Sequence, residues 1–165
     1  MTAPITLNFF PIIFFNTTLA TAPAATLLAV SLADATGSSD SLTLELGARD
    51  ADRDIEATIT GSGIETLNIK DSATSKDAKL NVNGFDASTI NITGGKASEV
   101  VDIVHSSMLN AKTATVDASA FLGTLTAKAN TNTATTFLAK AAVGTITGGA
   151  LSDTITIGTA SNFID

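Results

Sequence analysis

The chain of 165 residues lacks cysteine, tryptophan and tyrosine, and it contains a single histidine, His105. Without cysteine there is no disulfide scaffold, no thiol nucleophile and no cysteine-ligated zinc site. A single histidine excludes metal sites built from several imidazoles. The missing tryptophan and tyrosine remove the usual platforms on which sugars and bases stack. We therefore expect no catalytic residues and a chain that is not an enzyme, with His105 as a surface or turn residue.

Charged side chains are also scarce, and most of them are acidic. They make up 15% of the chain, whereas about 25% is typical of a soluble domain. Lys and Arg number 9 against 16 Asp and Glu, which gives a formal net charge of −7. Because phosphate binding needs a basic surface, this balance excludes nucleic acid as a partner. Apolar residues make up 44% and recur regularly, which predicts a folded chain.

The N-terminal segment differs in composition from the rest. Half of the eight phenylalanines lie within residues 9–15, around Pro11. This apolar run is much shorter than the roughly 20 residues that span a bilayer, so we expect no membrane span. A signal peptide cleaved near the small residues of 20–24 stays an alternative, although a basic leading region is missing. We predict an apolar, irregular N-terminal segment or cap over 1–36 and a repeat domain over 37–165.

From Leu42 onward, short segments alternate apolar and polar residues, which is typical of strands with one buried face. Most of the polar residues are Thr and Asn, and turn-forming residues separate the segments. The ten segments are 42–46, 57–59, 67–69, 80–82, 90–92, 101–103, 114–116, 125–127, 135–137 and 155–157. The expected inward-facing residues are Leu67, Ile69, Leu80, Val82, Ile90, Ile92, Val101, Ile103, Val116, Leu125, Ile146, Ile155 and Ile157.

Such spacing fits either an antiparallel sandwich or a β-solenoid. Few large aromatic residues follow residue 15, and Asn83-Gly84 is the one good candidate for a two-residue hairpin. Both observations favour an all-β, right-handed parallel β-solenoid or β-roll of short strands. Residues 20–29, 104–112 and 137–143 are candidates for short helical turns.

One motif indicates a metal-binding site. Residues 148–156 read Gly-Gly-Ala-Leu-Ser-Asp-Thr-Ile-Thr, close to the calcium-binding nonapeptide G-G-x-G-x-D-x-U-x, where U is a large apolar residue. Leu151 replaces the third glycine of that pattern. Apolar residues nine positions apart extend the frame on both sides, from Phe137 to Ile164.

Calcium takes 6–8 oxygen ligands, and glycine-rich turns present backbone carbonyl oxygens. We predict a metal site whose residues are Gly148, Ala150, Asp153 and Asn162. We predict a weaker second site at Gly94, Gly95 and Glu99. Metal-free turns of a degenerate solenoid remain the alternative. The alternating carboxylates of Asp50, Asp52 and Asp54 lack the glycine and glutamate of a helical-hand calcium loop, which favours a solvated loop.

Several stretches resemble the repeat regions of bacterial S-layer proteins and repeats-in-toxin (RTX) adhesins. They are 30–47, 63–69, 116–120 and 123–126, and the resemblance covers about 30–165. It implies a structural, non-catalytic module, secreted or at the bacterial cell surface, stabilised by calcium, which associates with itself or with neighbouring repeats. It also implies a piece of a longer protein. The alternative function is the non-catalytic or trailing repeat part of a secreted enzyme such as a polysaccharide lyase or RTX hydrolase.

Overall fold

In the computed structural model the chain forms two parallel β-sheets, between which it alternates. The structure describes residues 13–14, 26–31, 39–46, 55–72, 77–105, 107–140 and 142–158. Sheet A consists, in spatial order, of β1 (Ile13–Phe14), β3 (Ser41–Leu46), β5 (Thr66–Asp71), β7 (Thr89–Gly94), β9 (Thr115–Phe121), β11 (Thr136–Ala139) and β13 (Thr154–Ile157). Sheet B consists of β12 (Ala142–Thr147), β10 (Thr124–Lys128), β8 (Val100–Asp102), β6 (Ala78–Asn81), β4 (Ile55–Ser62) and β2 (Thr26–Ser31).

Each strand pairs with the strands two places before and after it in the sequence, and each such pairing is parallel. The chain therefore winds in coils of one sheet A strand and one sheet B strand. This is a parallel β-solenoid, as the alternation of short strands and turns predicted. The asparagine–glycine pair at 83–84 forms a turn on the way to the next sheet A strand, so it is not a hairpin.

Residues of alternate parity face the space between the two sheets and stack in rows. The first row of sheet A contains Leu42, Leu67, Ile90, Val116, Phe137 and Ile155. Of the predicted inward-facing residues, all are buried except Ile155 and Ile157, which are half-buried in the last described strand. Each coil adds its own apolar side chains to these rows and contacts only the coils on either side of it. The stability of the stack therefore grows coil by coil.

The last two described coils are shorter than those before them. The in-register pairs of sheet A lie 25, 23, 26, 21 and then 18 residues apart. The last coil, from Phe137 to Ile155, therefore equals two of the nine-residue intervals seen in the sequence, and Ile146 lies between them in sheet B.

One expectation is corrected within the described ranges. They contain no helix, so the helical turns predicted at 104–112 and 137–143 are wrong, as is the part of the 20–29 prediction that covers 26–29. Residues 20–25 lie outside the described residues. Residues 26–29 belong to β2, and most of 137–143 belongs to β11 and β12, because in-register pairing with neighbouring strands outweighs the helical propensity of alanine-rich sequence. β1 and β2 fall within the N-terminal segment and pair with β3 and β4.

Candidate functional site

The turn between β12 and β13, residues 148–153, is the strongest candidate for a metal site. Its second glycine lies directly over the preceding coil: a Cβ atom on Gly149 would overlap the carbonyl oxygen of Asn130. A Cβ atom on Gly148 would lie 2.9 Å from Oδ2 of Asp153. Close stacking of the coils therefore requires glycine at 149. Leu151, which stands where the nonapeptide has a glycine, is exposed in this turn.

Asp153 connects this turn to the coil before it. Its Oδ1 accepts a hydrogen bond from the backbone N–H of Thr135 at 2.7 Å, and its Oδ2 accepts one from the N–H of Gly149 at 2.6 Å. Hydrogen bonds to a carboxylate are short and strong, which matches both distances. A cation bound here would share these two oxygens with backbone donors. Asn162, the other predicted side-chain ligand, lies outside the described residues.

Buried polar side chains also connect successive coils at the turns that correspond to 148–153 in the earlier coils. The hydroxyl of Thr113 donates to the carbonyl oxygen of Ala87 at 3.0 Å, and the hydroxyl of Thr135 donates to that of Thr113 at 3.3 Å. The side-chain amide of Asn130 donates to the carbonyl oxygen of Leu109 at 3.0 Å. Each bond satisfies a backbone carbonyl of the coil below, which buried backbone groups require. The sequence alone does not predict these contacts between coils, because they depend on the length of each coil.

The second candidate turn, residues 94–99, also depends on two glycines. Gly94 and Gly95 have φ values of 80° and 70°, a conformation that side chains disfavour. A Cβ atom on Gly94 would overlap the carbonyl oxygen of Asp71, which accepts a hydrogen bond from Gly95 N–H at 2.9 Å. A Cβ atom on Gly95 would overlap the ring of Phe121. The glycines thus let two neighbouring coils approach each other closely.

Glu99 closes this turn with its side chain. Its Oε2 accepts a hydrogen bond from the backbone N–H of Lys96 at 2.8 Å, and its own N–H donates to the carbonyl oxygen of Lys96 at 3.0 Å. The residue is 1% exposed, and in the part of the chain that the structure describes its Oε1 has no hydrogen-bond partner. A buried carboxylate oxygen without a donor is costly, so a cation bound at this position would be stabilising.

A third group of titratable side chains lies on the outer face of sheet B. Glu56, Lys79 and Asp102 stand in register on three successive strands. His105 follows in a turn, with Nε2 3.7 Å from Glu56 Oε1 and Nδ1 3.5 Å from Asp102 Oδ2. No sequence pattern connects these four residues, since they come from three different coils.

No three histidine or acidic side chains converge on a common point at metal-binding distance within the described ranges. The acidic loop of Asp50, Asp52 and Asp54 lies outside those ranges. The two candidate turns each contribute one carboxylate, so backbone carbonyls would have to supply most ligands of a cation.

The chain matches no known protein-family model, no curated protein and no solved structure. The described part of the chain contains no helix that is long and apolar enough to cross a membrane.

Proposed function

We propose that this chain is a structural, non-catalytic repeat module of a secreted or cell-surface protein, of the S-layer or RTX-adhesin type. The observation that carries the proposal is the last coil, in which Phe137 pairs with Ile155 eighteen residues later. That length equals two nonapeptides, and the turn within the coil contains the Gly-Gly and Asp of the calcium-binding pattern. A rod of stacked coils suits a structural part, because stability is added coil by coil.

Calcium is the cofactor we propose for the turns. At 148–153 the ligands would be Asp153 and the carbonyl oxygens of Gly148 and Ala150. At 94–99 the carboxylate would be Glu99, whose buried Oε1 has no donor within the described residues. Each turn provides one carboxylate, and charge count is a main determinant of calcium affinity. Binding to this chain alone is therefore expected to be weak.

The partner we propose is a neighbouring repeat, of this chain or of a second copy. In the described part of the chain β13 pairs on one side only, with β11, and its inward residues Ile155 and Ile157 are half-buried. A further strand in parallel register would bury both residues and use the backbone groups of the edge. Stacking of repeats would give the continuous rod that a surface layer or an adhesin stalk needs.

Thermal unfolding followed by circular dichroism, with calcium or magnesium added, tests the cofactor. We expect calcium to raise the midpoint of unfolding and magnesium to have much less effect, because Mg²⁺ demands near-ideal octahedral geometry and dehydrates reluctantly. Glu99→Gln, which keeps the size of the side chain, should remove the part of the increase that comes from the second turn. Equal effects of both cations on the wild type and on the variant would count against specific calcium sites.

The second candidate, the repeat part of a secreted polysaccharide lyase, is favoured by the outer face of sheet B. A solenoid lyase needs acidic and basic side chains grouped on one parallel sheet face, where a base can remove a proton from an acidic sugar. Glu56, Lys79, Asp102 and His105 form such a group. The test is incubation with polygalacturonate and detection of unsaturated products by ultraviolet absorbance. Product formation that Lys79→Ala abolishes would support the lyase; wild-type protein no faster than buffer would eliminate it.

A further inference from the structure

Asn83 and Gly84 form an exposed turn between β6 and the following sheet A strand. The backbone N–H of Phe85 donates to the carbonyl oxygen of Val82 at 3.0 Å and closes the turn. Both central residues are exposed. None of the hydrogen bonds among the described residues uses the N–H of Gly84, whereas its carbonyl oxygen accepts one from Gly61. The turn thus combines an accessible asparagine side chain with an uncommitted amide directly after it.

We propose that Asn83 is a site of spontaneous deamidation and isomerisation, a chemical modification that changes the stacking of the coils with time. Attack of a backbone amide on the preceding asparagine side chain is hindered by any side chain on the attacking residue. Asn83 is the only asparagine of the chain that glycine follows. The next least hindered is Asn110, before Ala111, and the others precede Val, Ile, Thr or Phe.

The reaction needs only the chain and water. The backbone nitrogen of Gly84 forms a bond to Cγ of Asn83, the bond from Cγ to Nδ2 breaks, and the Gly84 amide proton leaves with Nδ2 as ammonia. Water then opens the cyclic imide. Cleavage between the nitrogen and Cγ gives aspartate, and cleavage between the nitrogen and the main-chain carbonyl carbon gives isoaspartate. The oxidation state of every atom is unchanged.

Hydrogen bonds between Asn83 and the next coil slow this reaction and are disturbed by its product. Asn83 Nδ2 donates to the carbonyl oxygen of Met108 at 3.0 Å, in the next coil, and Asn83 O accepts from Nδ2 of Asn110 at 2.6 Å. Release of the first bond frees the side-chain amide for attack. After the reaction a carboxylate, which has no donor when ionised, faces the Met108 carbonyl oxygen. Isoaspartate also adds one carbon to the backbone inside a tight turn, which disturbs the stacking on both sides.

Peptide mapping by mass spectrometry tests the proposal on the full chain kept at mildly alkaline pH. We expect residue 83 to gain the mass of deamidation before the other asparagines, with isoaspartate detected there by enzymatic methylation. Asn83→Gln, whose attack would form a less favourable six-membered ring, should lack both signals. Folded chain that retains Asn83 while urea-unfolded chain converts would overturn the proposal.

Asn83→Asp is a stable mimic of the aspartate product. It shows how the modified residue affects stability without the need for the reaction itself. We expect its thermal midpoint to lie below those of the wild type and of Asn83→Gln, since glutamine keeps an amide donor. Aged wild-type protein should shift in the same direction as the modified fraction grows. An Asp variant as stable as the wild type would contradict the proposed effect on coil stacking.

Discussion

The carboxylate of Asp153 accepts a hydrogen bond from the backbone N–H of Thr135, eighteen residues earlier in the chain. The other oxygen of that carboxylate accepts one from Gly149 within its own turn. One side chain therefore fixes the turn before β13 and connects it to the preceding coil. The residue that the nonapeptide pattern identifies as a calcium ligand has a structural role before any cation binds.

Removing that carboxylate should weaken the last coil. For Asp153→Ala we expect a loss of about 1–3 kcal/mol in unfolding free energy, because two backbone donors lose a charged acceptor. Ser152→Ala, at the exposed position just before it, is the matched control and should stay within about 0.5 kcal/mol. Urea denaturation followed by circular dichroism measures both. An alanine variant as stable as its control would show that the two hydrogen bonds contribute nothing.

Leu80 lies in the core and is completely buried in sheet B, so its truncation should destabilise the fold. Leu80→Ala should cost about 2–5 kcal/mol, since deletion of a buried leucine side chain loses transfer free energy and leaves a cavity. Leu122, which is 52% exposed, provides the same substitution without the cavity. Its alanine variant should change stability by less than about 0.5 kcal/mol. Equal effects of the two substitutions would place Leu80 outside the core.

The inward rows could be predicted from the sequence because period two alone decides which side chains share a face. Pairing could not, since a strand such as β5 pairs with β3 and β7 rather than with the strands next to it in the sequence. β12 is not among the ten predicted segments, because Gly144 interrupts its pattern, although Ile146 within it is correctly predicted to face inward. The structure gives the reason for that glycine: a Cβ atom there would lie 2.8 Å from both Cγ2 of Thr124 and Oγ1 of Thr126.

The candidate site was predictable as a set of residue types, but its contacts were not. The Gly-Gly and Asp of 148–153 identify a tight turn, and the pattern suggests inward carbonyl oxygens around Asp153. The actual partners of its carboxylate are N–H groups, one of them on Thr135. That contact depends on an eighteen-residue coil, and the preceding coils have other lengths. The grouping of His105 with Glu56 depends on coil length in the same way.

Gly94 is the position where a methyl group should be least tolerated. Its φ of 80° costs an L-residue about 1–2 kcal/mol, and the added Cβ would also overlap the Asp71 backbone. We expect Gly94→Ala to lose more than this amount in unfolding free energy. Gly84→Ala is the control, because no positive φ strains it and the atom nearest its Cβ would be the side-chain methyl of Thr60. A Gly94 variant as stable as the Gly84 variant would contradict the close approach of the two coils at Gly94.

The contact between Glu45 and Ser72 makes the stability of the folded chain depend on pH. A hydrogen bond from the Ser72 hydroxyl, 2.6 Å long, lowers the pKa of Glu45 below its ordinary value of 4.5, and Lys70 adds to this effect while desolvation opposes it. A lowered pKa in the folded state means stabilisation above the unfolded pKa, lost as the pH falls through the folded value. Ser72→Ala should therefore raise the pKa of Glu45, measured by NMR titration. An unchanged or lower pKa would assign the shift to another cause.

Calcium binding at 148–153 is the main proposal for this chain, and isothermal titration of the full chain with calcium tests it most directly. Asp153→Asn is the variant to compare, since asparagine keeps the shape of the side chain and one acceptor oxygen while removing the charge. We expect a weak binding signal for the wild type that is reduced or lost in Asp153→Asn, with circular dichroism spectra of the two proteins alike. Calcium binding of equal strength in both proteins, or none in the wild type, would contradict it.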